Sequence, residues 1–130
     1  MKIMIVDDCR TTRKILGHYV RSSGYSVVYA ENGLDAIEKL GTESVNLIMT
    51  DLNMPYMDGI ELIKTLRADP AFAEIPILMI TTENDDEEKE KAISSGADGY
   101  LVKPVSGDKL SQNIKDLLKN IFAKGGVQHG

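Results

Sequence analysis

The chain has one cysteine, two histidines, no tryptophan and only two phenylalanines in 130 residues. With Cys9 alone no internal disulfide can form, and the Cys and His content cannot build a usual zinc site. No apolar run approaches the ~20 residues of a membrane helix. The opening MKIMIVDD has a single lysine and a brief apolar run stopped by two aspartates, which fits neither a secretory signal nor a span. A basic excess is also missing. Fifteen Lys and Arg against twenty Asp and Glu leave a net charge of −5, which argues against a global footprint for nucleic acid or an anionic membrane. There is no G-x-x-x-x-G-K-[ST] loop and no EF-hand loop. These absences predict a cytoplasmic protein of one domain, without direct nucleic-acid binding or membrane insertion.

What is present is an alternation of short apolar runs with segments of helical period. Strands are predicted at Ile3–Val6, Ser26–Ala30, Val45–Thr50, Ile75–Ile80 with Pro76 at its start, and Gly99–Lys103. Helical stripes follow each: Ile15, Leu16, Tyr19 and Val20, closing near Gly24; Leu34, Ile37 and Leu40, closed by Gly41; Ile60, Ile63 and Leu66, stopped before Pro70; Ala92 and Ile93 in a polar helix over 85–95; and Leu110, Ile114, Leu117, Leu118 and Ile121. Five strands each followed by a helix predict an α/β fold. The expected form is a doubly wound, five-stranded parallel sheet of order 2-1-3-4-5 with helices on both faces. Residues 1–123 are expected to form the domain and 124–130 a flexible tail or linker.

In such sheets ligands bind beyond the carboxyl ends of the strands. The first strand exits into Asp7-Asp8, the third into Asp51, the fourth into Thr81-Thr82 and the fifth into Lys103-Pro104. Each residue alone has an ordinary structural explanation. Asp8 could cap the first helix, Asp51 could close a turn, Thr81 suits a strand, and Lys103 could be a solvated exit. Together they are harder to dismiss. Two carboxylates ~4 Å apart repel by about 4 kcal/mol at an effective dielectric near 20, so a cluster of three calls for a proton or a cation. All-oxygen donors on an open rim suit Mg²⁺ better than Ca²⁺. A carboxylate, a hard cation, an ammonium and a hydroxyl are also the equipment of phosphoryl transfer.

The segments IVDD, MTDLNMPYMDG, MITTE and GADGYLVKP, in this order, resemble the receiver domain of bacterial response regulators, the CheY-like family, over Lys2 to Ala123. The resemblance implies that Asp51 accepts a phosphoryl group from a phosphohistidine. It implies that Asp8, Asp51 and the backbone carbonyl of Asn53 bind Mg²⁺ directly, and that Asp7 acts through a bound water. Lys103 would pair with the phosphoryl group, next to a cis Lys103-Pro104 peptide. Thr81 would be the switch hydroxyl and Tyr100 the switch aromatic, with Asn53 and Glu83 tuning phosphoryl lifetime. Thr82 departs from the small residue usual after Thr81, so it joins the tuning set. The acidic opening of the fourth helix, NDDEEKEK, also departs from the pattern where output partners dock, although acids are favoured at a helix N-terminus.

The implied partners are a sensor histidine kinase or phosphotransfer protein, and a downstream protein at the face of the fourth helix, fifth strand and fifth helix. The implied role is a chemotaxis-type or other single-domain switch, not an enzyme except toward its own phosphorylation and dephosphorylation. A receiver domain belonging to a longer regulator is the alternative. A phosphohydrolase of the haloacid-dehalogenase type would place a second Asp where Asn53 stands. A flavin carrier of the same fold would want a hydroxyl-rich first loop and a stacking tryptophan. Met54 and Met57 read as loop packing, and His18 as a surface residue.

Overall fold

The architecture comes from a computed structural model that describes residues 1–120 in full and, beyond them, the backbone of the last helix; the expected 124–130 tail, Ile121 and His129 lie outside the fully described residues. The elements are β1 (Lys2–Val6), α1 (Arg10–Ser22), β2 (Ser26–Ala30), α2 (Gly33–Leu40), β3 (Leu47–Thr50), α3 (Gly59–Ala68), β4 (Ile77–Thr81), α4 (Asp86–Ser95), β5 (Gly99–Val102) and α5 (Gly107–His129). All four strand pairings are parallel and the sheet order is β2-β1-β3-β4-β5, as the alternating pattern predicts.

The two-residue period of the strands divides the core. Met4 and Val6 of β1 point to one face, where they meet Ala36, Leu40, Leu62, Ile63, Leu66 and Ala92 from α2, α3 and α4. Ile3 and Ile5 point to the other, against Leu16, Val20, Leu110, Ile114 and Leu118 from α1 and α5. Burying one such side chain contributes about 1.5–3 kcal/mol, so both faces hold the central strands in place. β1, β3 and β4 are buried almost throughout, which explains their uninterrupted apolar runs.

Three stripe residues depart from expectation: Ile15 in α1, Leu34 in α2 and Ile93 in α4 are exposed. In α1 the buried arc is Leu16, Gly17 and Val20 instead, because Gly17 lies under the Tyr29 ring of β2. A Cβ at Gly17 would overlap the Tyr29 hydroxyl. Strands three and four also begin two residues later than predicted, at Leu47 and Ile77. Pro76 lies just before β4, where its carbonyl accepts from Ile48 N–H without the proline having to donate.

α4 is the least embedded helix described. Ala92 is its only buried residue, whereas α3 buries five. Asp85 caps it by accepting from Glu87 N–H, and Asp86, Glu87 and Glu88 occupy its first turn. That placement supports the dipole account of the acidic segment.

Candidate functional site

The carboxyl ends of β1, β3, β4 and β5 deliver the site. A backbone bond from Asp51 N–H to the Val6 carbonyl sets the two acidic exits side by side, while Asp7 N–H donates to the Ala30 carbonyl of β2. Asp7, Asp8 and Asp51 can each offer a carboxylate oxygen lying within 4.8 Å of those of the other two. Lys103, two strands away on β5's exit, reaches across β4. Its Nζ is 2.8 Å from Asp7 Oδ2 and 3.4 Å from Asp51 Oδ2. The Lys103-Pro104 peptide is cis.

The local roles of the aspartates differ from the simple structural readings. Asp8 does not cap α1. The cap position is Cys9, which makes no side-chain capping bond. Asp7 is buried and takes the turn role, its Oδ1 accepting from Cys9 N–H at 2.8 Å. Asp51 Oδ1 accepts from Leu52 N–H at 2.8 Å, so it does close the turn while its other oxygen faces Lys103. Asp8 is exposed, and among the described residues its side chain makes no hydrogen bond.

Burial pushes the Asp51 carboxyl above the usual range, and Asp7 adds to the rise, outweighing Lys103 and the Leu52 N–H. Burial alone would lower the Lys103 ammonium, yet the hydrogen bond to Asp7 and the charges of Asp51 and Asp7 raise it above its ordinary value. The site is therefore short of positive charge. Three carboxylates share one ammonium, and the all-oxygen donor set with its exposed Asp8 fits a hard divalent cation.

A second chain of contacts leads away from Asp51. The Asn53 amide donates to Glu83 Oε1 at 3.3 Å, and Glu83 N–H donates to Thr81 Oγ1 at 3.2 Å. The Tyr100 hydroxyl donates to the Glu83 carbonyl at 2.7 Å. Burial, then Glu83, Glu88, Asp85 and Asp51, push the Tyr100 phenol up, so it remains a donor. Thr81 is fully buried and Thr82 lies exposed on the rim. The predicted site residues thus fall in two groups: Asp7, Asp8, Asp51 and Lys103 around the carboxylates, and Thr81, Thr82 and Glu83 at the β4 exit, which Asn53 of the β3–α3 loop and the Tyr100 hydroxyl from β5 contact through Glu83. Met54 and Met57 pack against the core, as expected, and Met57 covers Gly33. His18 is exposed.

The family model of the response regulator receiver domain matches residues 3–115. The chain belongs to the receiver domain family. Among its curated relatives, this receiver domain is 41% identical over 120 residues to "Chemotaxis protein CheY1" of Helicobacter pylori, covering 91% of the chain and 97% of that protein. It is 35% identical over 130 residues to a "Chemotaxis protein CheY homolog" of Campylobacter jejuni, covering 98% and 100%. Among solved structures, Vibrio cholerae chemotaxis protein CheY4 superposes with a TM-score of 0.84 at 34% identity over 89% of the chain and 97% of that structure. Acceptance of a phosphoryl group is the general property of receiver domains, which are not enzymes in the ordinary sense. Membership sets aside the phosphohydrolase and flavin-carrier readings.

Two arginines belong with this receiver's site and its supports, and neither was singled out from sequence. Arg13 donates to the Asp7 carbonyl at 2.6 Å. Arg67, at the end of α3, holds the Gly96, Ala73 and Ile75 carbonyls and Asp98. A signal for Arg13 did exist: positions 13, 16, 17 and 20 share one helical face, and the other three are buried. A cation on a buried arc needs a partner.

Proposed function

We propose that this receiver domain accepts a phosphoryl group on Asp51 from a histidine kinase or phosphotransfer protein, in a Mg²⁺-dependent reaction, and thereby switches a protein-binding surface. The observation that carries the reading is the meeting of Asp7, Asp8 and Asp51 within 4.8 Å, with Lys103 in contact with two of them. An Asp51 carboxylate oxygen attacks phosphorus and forms the P–O bond of an acyl phosphate, while the P–N bond of the donor phosphohistidine breaks. The imidazole leaves with the electron pair and takes up a proton. Hydrolysis reverses the gain: water adds to phosphorus and the Asp51 carboxylate departs, so the domain catalyses only its own phosphorylation and dephosphorylation.

Asp8, Asp51 and the Asn53 carbonyl would hold Mg²⁺ directly, and Asp7 through water. Bound there, the ion supplies charge that offsets the phosphoryl oxygens. Lys103 already stands within reach of Asp51, so it can follow the new negative charge with a small movement of its flexible stem. Asn53 and Glu83 join across the rim and, with the exposed Thr82, govern how water reaches the phosphoryl group.

Thr81 carries the switch. Turning toward the phosphoryl group costs the bond from Glu83 N–H, and Tyr100 is tied to the same residue through the Glu83 carbonyl. The loop and the sparsely held α4 thus shift together, changing the face of α4, β5 and α5 offered to a downstream protein. Similarity to curated chemotaxis proteins supports a role in motility signalling, carried out in the cytoplasm.

Intact mass after mixing with Mg²⁺ and a small phosphodonor tests the chemistry. One added phosphoryl group is expected, absent in Asp51→Asn and blocked by chelation. An addition that persists in Asp51→Asn would sink the assignment. For the switch, Tyr100→Ala is expected to keep phosphorylation but weaken binding of the downstream partner by about tenfold, the loss of one well-placed contact of ~1.4 kcal/mol. Unchanged partner affinity counts against Tyr100.

A further inference from the structure

We infer that Arg13 is a positioning residue for the cation site, acting on Asp8 through the Asp7–Asp8 peptide. The inference rests on the Mg²⁺-binding reading above. β1 ends at Val6, and the last backbone bonds at its exit engage the Asp7 N–H and the Val6 carbonyl. The next acceptor along the chain, the Asp7 carbonyl, lies past the ladder. Arg13 Nη1 takes that place at 2.6 Å, one helical turn into α1, from a side chain only 12% exposed. Because the peptide unit is planar, fixing this carbonyl also fixes the amide nitrogen and the Cα of Asp8, the point from which its side chain leaves.

Asp8 depends on such help. Asp7 is held through both carboxylate oxygens and Asp51 through Leu52 and Lys103, but the Asp8 side chain makes no hydrogen bond among the described residues. Its place beside the other two carboxylates therefore depends on where the backbone holds its Cα. The second contact of Arg13, with Glu31 Oε1, is 4.0 Å long and solvent-exposed on the glutamate side, so the Asp7 carbonyl is the stronger tie.

Position and charge predict opposite outcomes. A guanidinium held at the Asp7 carbonyl, beside this cluster, competes with a cation for the carboxylates' field, so losing its charge alone would tighten Mg²⁺ binding. Losing its hold on the peptide would weaken it. Calorimetric Mg²⁺ titration of the full chain separates the two. Arg13→Met and Arg13→Gln are expected to bind Mg²⁺ about tenfold more weakly, the low end for losing an outer partner of a ligand. Arg13→Lys, which keeps a donor, is expected between them and the unsubstituted protein. Glu31→Gln is expected within about twofold of it. The Mg²⁺ concentration that half-saturates phosphoryl incorporation should rise in the same ratio, with the rate at saturating Mg²⁺ nearly unchanged. Equal or tighter Mg²⁺ binding in either neutral variant that still melts cooperatively overturns the inference, as does an equal loss in Glu31→Gln. Failure of the unsubstituted protein to bind Mg²⁺, or binding indifferent to Asp8→Asn, overturns instead the reading of the site on which this rests.

Discussion

Asp51 sits where ionisation is disfavoured, and that has a consequence for stability. Its carboxyl is raised by burial and by Asp7, so the folded chain holds a proton more tightly there than the unfolded chain does. Below the ordinary carboxylate range both states are protonated and nothing is lost. As pH rises through that range toward the raised value, the folded state loses stability, and the loss persists at neutral pH. Asp51→Asn is therefore expected to raise the Tm measured in chelator at pH 7, with little advantage near pH 3. A Tm equal to or below that of the unsubstituted chain at pH 7 contradicts this. Lys103 has the opposite sense. Its raised pKa marks stability that is present below the ordinary lysine value and is lost only as pH climbs through the raised one. Lys103→Met leaves the buried Asp7 without its cation, and a cost of about 3 kcal/mol in chelator is expected from denaturant melts.

Elements differ in how firmly they are held, and the difference follows function. α3 is rigidly joined to the site: Asp58 and Glu61 form a reciprocal cap at its start, and Gly59 lies against the Asp51 backbone. A Cβ on Gly59 would meet that carbonyl far inside contact distance, and backbone cannot give as a side chain can. Gly59→Ala is expected to destabilise the fold by roughly 2–4 kcal/mol and to slow phosphorylation; a silent substitution would show the loop to be softer than its geometry. α4 buries Ala92 alone and is fastened mainly at its end, where Arg67 donates to the Gly96 carbonyl through Nε and Nη2. The same guanidinium bonds Asp98, whose Oδ2 also accepts from Ile77 N–H, so α3, α4 and the start of β4 share one clamp. Arg67→Met keeps the aliphatic stem but removes every donor. It is expected to cost about 2–3 kcal/mol and to speed amide exchange in α4 more than in α3. Equal acceleration in both helices argues against a local fastening.

For the molecule as a whole, the cluster of carboxylates should make folding depend on cation. At ten times its Kd, a ligand bound only by the folded chain adds about 1.4 kcal/mol, a Tm rise of roughly 5 °C for a domain of this size. Mg²⁺ is expected to produce that rise, and Asp8→Asn to abolish it without lowering the Tm in chelator, because the Asp8 side chain has no protein partner to lose and its charge adds to the repulsion. A rise that survives Asp8→Asn would place the cation elsewhere. No helix among the described residues is long and apolar enough to cross a membrane, and the buried apolar side chains described lie in two clusters on the two faces of one sheet.

The sheet order, the strands and the acidic exits of β1 and β3 were legible in the amino-acid sequence. Buried parallel strands must be continuously apolar, and a polar residue ending such a run is conspicuous. Asp7, Asp8, Asp51, Thr81 and Lys103 could be placed on one rim because that rim follows from strand direction alone. Helix faces were less legible. Ile15, Leu34 and Ile93 fit an apolar period, yet a helix's buried arc is decided by what it packs against, as Tyr29 decides for α1 at Gly17. The partners of Arg13 and Arg67 were out of reach for the same reason. Both arginines bond mainly to backbone carbonyls, which every residue carries, so no side-chain pattern marks the acceptor. Sequence alone determined which chemical groups reach the rim; the tertiary structure decided which peptide each arginine holds and which carboxylate is left free.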